Sequence, residues 1–180
     1  MYPNLFQSVE KEIFKLDDVK VNIPKCLVRL EEWKGEPVKS TFGGKPIVNM
    51  DQKPMFAELA IKEHFVANGW EARWVETYGR VNKKPLCLSS WKDDKFSNQI
   101  GDPIKNEEVL EKLSEIAKYN NGSYSGCWDI LAWKPDNMIF AELKRESKDR
   151  IRQTQIDWLF AGLKSGLKPE NFLIVEWDMQ

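Results

Sequence analysis

The stretch "WDILAWKPDNMIFAELK", Trp128–Lys144, decides how the chain folds. Two short apolar runs flank "KPDN", and Pro-Asp-Asn is strong turn chemistry, so the stretch reads as a β-hairpin. Asp129 opens its first strand; Glu142 and Lys144 close its second. Residues i and i+2 of a strand share a face, so Glu142 and Lys144 point one way and Leu143 the other. The open end of the first strand lies beside the closing end of the second, which puts Asp129 next to Glu142 across the ladder. Two adjacent carboxylates repel unless something positive lies between them. A hard divalent cation meets that need, with the Leu143 backbone carbonyl as a further oxygen ligand. A lysine on the same face can hold or activate a water beside the metal. Acids and lysines are common at strand ends, which reach solvent, and Glu-x-Lys alone occurs often by chance. The acid in the partner strand is what makes a water-activating, phosphate-binding site the stronger reading.

Outward from the hairpin, "TQIDWLFAGLKSG" places Ile156, Leu159, Phe160 and Leu163 on one helical face, with Gly166 as its stop. "NFLIVEW" reads as a last strand. Upstream, "DQKPMFAELAIKEHFVANGWEARWVET" reads as a helix capped by Asp51, with Pro54 in its first turn and Gly69 after its end, followed by an alternating strand. "DPIKNEEVLEKLSEIAKY" is an amphipathic helix with Ile104, Val109, Leu110, Leu113 and Ile116 as its apolar face. The result is an α/β domain, a central mixed sheet flanked by helices, in the order α-β-insertion-β-β-α-β. Residues 51–77 and 126–177 form the core and 78–125 an insertion. Residues 1–50 are the least legible: "VKVNIPKCLVRL" suggests a strand or two, and the Gly- and Pro-rich "WKGEPVKSTFGGKPIVN" suggests turns.

The 180 residues suit one domain, and 42% hydrophobic with 31% charged residues is an ordinary folded composition. No apolar run is long enough to span a bilayer. No signal peptide is visible, and three scattered cysteines without zinc spacing suit a reducing compartment, so a cytoplasmic or nuclear protein is expected. A net charge of −1 means that any nucleic acid must be met by local patches.

Asp129 followed by Glu142-Leu143-Lys144 resembles the D-x(n)-(D/E)-x-K pattern of the restriction-endonuclease-like, or PD-(D/E)XK, nuclease superfamily. "AELAIKEHFVANGWEARWV" is similar to the first helix and strand of archaeal Holliday-junction resolvases, with Glu58 at the helix glutamate. "GCWDI" stands where the VRR-NUC branch has Gly-x-Pro-Asp, with Trp128 in place of the proline. "LKRESKDRIRQTQIDWLFAGLKSG" resembles the VRR-NUC continuation, and Gln155 is the matching glutamine. The likeness covers roughly residues 54–77 and 126–177. It implies a restriction-endonuclease-like core and Mg²⁺- or Mn²⁺-dependent hydrolysis of phosphodiester bonds in DNA, favoured over RNA and with branched forms included. Asp129 and Glu142 would bind the metal, and Glu58 would support it directly or through water. Lys144 would orient the attacking water, and Gln155 would hold Lys144, the water or a phosphate. Resolvase-like relatives act as dimers, which implies a homodimer.

Lys144, Arg145, Lys148, Arg150 and Arg152 put five basic residues in nine positions beside this site, where nucleic-acid phosphates fit. The bland alternative is a solvated loop, since Glu146 and Asp149 interrupt the run. Arg80, Lys83 and Lys84 form a second candidate contact. Glu63 rivals Glu58 as the helix acid; its structural alternative is pairing with Arg73 or a nearby lysine. His64, the one histidine, has no partner at ligand spacing. Cys127 reads as packing, and Trp91 as an exposed tryptophan. A catalytically inactive nucleic-acid-binding module is the alternative to an enzyme, and a hydrolase of small phosphodiesters a third reading.

Overall fold

The computed structural model describes residues 2–7, 10–16, 18–80 and 83–180. "VKVNIPKCLVRL" lies within one long strand. β1 (Glu10–Leu16) runs antiparallel to β2 (Val19–Glu32). Along β2 the buried face changes: Val21 and Ile23 join one core, then Cys26, Val28 and Leu30 join another. Pro24, with no N–H to offer, precedes the point at which pairing to the final strand begins, at Lys25.

The remaining elements are β3 (Ile47–Met50), β4 (Lys53–Phe56), α1 (Ala57–Ala67), β5 (Glu71–Glu76), β6 (Leu86–Leu88), α2 (Glu107–Tyr119), β7 (Ile130–Lys134), β8 (Asn137–Arg145), α3 (Gln153–Lys164) and β9 (Phe172–Met179). They form one nine-stranded mixed sheet in the order β4-β3-β2-β9-β8-β7-β5-β6, with β1 on β2. β9 runs parallel to both β2 and β8; every other described pairing is antiparallel. One core packs α1 on a sheet face through Leu59, Ile61 and Phe65. The other packs α2 and α3 on the opposite face through Leu113, Ile116, Trp158 and Leu159. The α/β class and the flanked mixed sheet are therefore as expected. No helix is long and apolar enough to cross a membrane among the described residues.

Two expectations need correction. Asp51 does not cap a helix. Asp51 and Gln52 both take positive φ (51° and 65°) in the turn between β3 and β4, and α1 begins only at Ala57. Pro54 sits in β4 at the end of the sheet, where a missing N–H is tolerated. Residues 1–50, read as a strand or two with turns, and 78–125, read as an insertion, also belong to the main sheet and its helical layer. The first segment supplies β1, β2 and β3, and β2 lies against β9 in the sheet. The second supplies β6 and α2.

The hairpin itself forms as read. Lys134 pairs with Asn137 around Pro135-Asp136, with Asp136 at φ 60°. Proline sets the first corner and an aspartate tolerates the left-handed second one. Helix ends also fall where glycine allows: Gly69 (φ 75°) follows α1 and Gly166 (φ 92°) follows α3.

Candidate active site

Asp129 lies just before β7, where the ladder pairing Ile130 with Ala141 continues to put it opposite Glu142. Asp129 Oδ2 accepts the Leu143 N–H at 2.9 Å, which locks the acid to the end of β8. Along β8, Ile139, Ala141 and Leu143 face the α1 core. Glu142 and Lys144 alternate with them and face the α3 layer, where Gln155 waits.

Glu142 is fully buried. Its Oε1 accepts from Gln155 Nε2 at 2.5 Å and lies 2.7 Å from Lys144 Nζ. Lys144 Nζ also donates to Gln155 Oε1 at 3.2 Å. That Oε1 in turn accepts the Arg152 N–H at 2.8 Å at the start of α3. One amide therefore ties the acid, the lysine and a helix N-terminus together. Trp128, in place of the expected proline, is buried and donates its indole N–H to the Gln155 carbonyl at 3.1 Å. Trp128 thus helps hold Gln155 in place.

Glu142 Oε2 finds no donor, and its carboxyl neighbour, Asp129, is another acceptor. Burial, then the Asp129 charge, push the Glu142 carboxyl well above the usual carboxylate range, and Lys144 only partly opposes this. Two acceptors side by side, one of them fully buried, need a proton or a cation between them. A hard cation fits this donor set, because Mg²⁺ sites commonly use one or two carboxylates with water completing the shell. No group of three or more His, Cys, Asp or Glu side chains comes together as a metal cage among the described residues.

Glu58 is buried in the first turn of α1, where the positive end of the helix favours an acid. It reaches the site through Lys45, whose ammonium pairs with the Glu58 carboxylate. Burial opposes charging Lys45, but the carboxylates of Glu58 and Asp129 outweigh it and raise its pKa. Lys45 also lies over the Trp74 ring at 5.4 Å. Glu76, at the end of β5, is a further acid; burial pushes its carboxyl up, and the Asp129 and Glu58 charges add to this. Lys45 and Glu76 were not found by sequence reasoning. Glu76 had a signal, as an acid ending the alternating run "WEARWVET". Lys45 had none beyond following two glycines.

Asp129, Glu142, Lys144, Gln155, Lys45, Glu58 and Glu76 line a cleft of about 1010 Å³. Arg145, Lys148, Arg150 and Arg152 line it too, the last three exposed. Arg145 is partly engaged, with Nε 3.4 Å from Asp178. Arg80, Lys83 and Lys84 do not line the cleft; Arg80 instead donates to the Lys84 carbonyl at 2.8 Å. Glu63 is elsewhere, paired with Lys62 Nζ at 2.5 Å, which makes Glu58 the helix acid of this cleft. His64 is half-buried, edge-on to Phe6 with ring centroids 6.2 Å apart. Cys127 is buried in the α2/α3 core. Trp91 is not the exposed ring expected: it packs against Phe56 (4.9 Å) and Trp74 (5.9 Å). No family model, curated protein or solved structure matches the chain.

Proposed function

We propose that this chain is a metal-dependent nuclease with a restriction-endonuclease-like core, hydrolysing phosphodiester bonds in DNA. The observation that carries the reading is the Asp129–Glu142 pair. Glu142 is buried with one oxygen that finds no donor, Asp129 is a second acceptor beside it, and a lysine and a glutamine brace Glu142 in a cleft with an exposed basic wall.

Asp129, Glu142 and the Leu143 carbonyl are the groups to hold Mg²⁺ or Mn²⁺, with Glu58 in support. The ion would supply Lewis acidity and a more acidic bound water. Lys144, fixed on Glu142's face, orients the attacking water and steadies the negative charge that develops on the phosphate. Gln155 keeps Lys144 and Glu142 in register. Lys148, Arg150 and Arg152 seat the backbone phosphates on either side of the cut.

A second reading has its own support. Lys45 and Lys144 already stand against Glu58 and Glu142, so these acids have cationic partners without a metal. That would suit a nucleic-acid-binding module that does not cut. The test is to incubate purified protein with single-stranded, duplex, flap and four-way DNA, and with RNA, in Mg²⁺ or Mn²⁺. Cleavage that disappears in Glu142→Ala and Lys144→Ala is expected. If no substrate is cut, or if these variants cut like wild type, the nuclease reading fails. Binding without cleavage supports the module.

A further inference from the structure

Tyr78 is two residues past Glu76 and lines the same cleft as Asp129 and Glu142. It is 71% exposed, an unusual state for a large aromatic ring. Yet it is not loosely placed. Its backbone N–H donates to Glu76 Oε1 at 2.7 Å, which fixes the chain at Tyr78 beside that acid. Its ring meets Phe42 edge-on, with centroids 6.3 Å apart at 80°, and Phe96 likewise, at 6.4 Å and 76°. Phe42 and Phe96 are themselves stacked, 4.7 Å apart at 17°. Two rings thus brace Tyr78 from the protein side and leave most of it to solvent.

The space beside this lip is open. A Cβ built on Gly43 or Gly44, which also line the cleft, would meet nothing within 4 Å. Other walls of the cleft carry Lys148, Arg150 and Arg152. A braced, exposed aromatic ring in one cleft with exposed cations is the combination that takes an unpaired strand: phosphates on the cations, a base face on the ring. A paired base inside a duplex has both faces covered by its neighbours and cannot use the ring unless it leaves the stack.

We infer that Tyr78 is a stacking platform for an unpaired base, so the cleft takes single-stranded nucleic acid or the single-stranded arm of a branched one. This rests on the nucleic-acid reading above and narrows its substrate class.

Binding is measured by fluorescence anisotropy in EDTA, with a labelled single strand and a blunt duplex of the same sequence. Wild-type protein is expected to favour the single strand. Tyr78→Ala should weaken single-strand binding roughly 5- to 100-fold, as loss of one base stack does, and leave duplex binding unchanged. Tyr78→Phe keeps the ring and should restore binding. One abasic position walked along the strand should reproduce the loss at a single place, and only with the ring present. Unchanged single-strand binding in Tyr78→Ala, or an equal loss on both polymers, overturns the inference. So does a wild type that binds no nucleic acid. The two readings fail separately. Ring-dependent binding without cleavage in Mg²⁺ leaves the platform standing and removes the nuclease. Cleavage that ignores Tyr78 does the reverse.

Discussion

Gly126 is where the fold and the candidate site can be broken together. It lies just ahead of Trp128 and Asp129, at φ 79°. A Cβ there would sit 1.9 Å from the Thr154 carbonyl oxygen, 2.3 Å from its carbon and 2.9 Å from the Gln155 nitrogen. These are backbone atoms of the first turn of α3, so the side chain cannot swing aside. Gly126→Ala incurs a left-handed penalty of about 1–2 kcal/mol. Overpacking adds about 1–3 kcal/mol. The total of roughly 2–5 kcal/mol corresponds to a melting-temperature drop of about 4–20 °C for a chain of this size. To relieve the clash, the Thr154–Gln155 backbone must move by about an ångström, and Gln155 is what holds Glu142 and Lys144. Misplacement of that size can cost about 100-fold in rate. Gly122→Ala is the control: Gly122 also has positive φ (75°), but its Cβ would meet nothing within 4 Å, so only the left-handed penalty applies. Both variants would be melted by circular dichroism and assayed for cleavage at a temperature where each is folded. If Gly126→Ala melts with Gly122→Ala and cuts like wild type, the claim that Gly126 positions Gln155 is refuted.

Three other outcomes follow from the same geometry. The Glu142 carboxyl is raised by burial, so the folded state keeps a proton that the unfolded chain releases at ordinary carboxylate pH; stability in EDTA should therefore fall as pH rises from there toward the folded-state value. Glu142→Gln should remove that slope and exceed wild-type stability at neutral pH in urea titrations, and parallel pH profiles for the two proteins would contradict this. Lys45→Met strips Glu58 of its cation, so its melting temperature in EDTA should drop below wild type and recover more on adding Mg²⁺; equal metal-induced shifts would show that Lys45 and the ion do not share a site. Arg150→Ala should weaken DNA binding at low salt and reduce the log–log salt slope by about one, and an unchanged slope would take Arg150 off the phosphate path.

The hairpin and its site were legible because each signal was local. Pro135-Asp136 fixes the turn, strand alternation fixes which residues share a face, and the ladder then brings Asp129 opposite Glu142. Gln155 was legible only through family resemblance, since its contact with Glu142 depends on how α3 docks. The start of α1 was misread for a related reason. Asp51 and Pro54 carry helix-start chemistry, yet the chain turns back at Asp51-Gln52 so that β4 can pair with β3, a tertiary demand that overrides the local preference. Lys45 was invisible because the loop at 33–46 is placed by what it meets: Glu58 and the Trp74 ring.

The division of the acids between two layers explains why the site stands at the ends of two central strands, β7 and β8. Glu142 and Lys144 face the α3 layer, whereas Glu58 belongs to α1 on the other side. Asp129, just before β7, bears on both sets: it accepts from Leu143 beside Glu142, and its charge acts on Lys45, the partner of Glu58. Asp129, at the open end of the ladder, is thus the residue that joins an otherwise divided set of charges. Removing it should uncouple the Lys45–Glu58 pair from the Glu142–Lys144 pair. In double-mutant cycles with Lys45→Met and Lys144→Met, Asp129→Asn should bring the coupling between the two lysines close to zero. Coupling that survives the change would mean that the two layers communicate by another route.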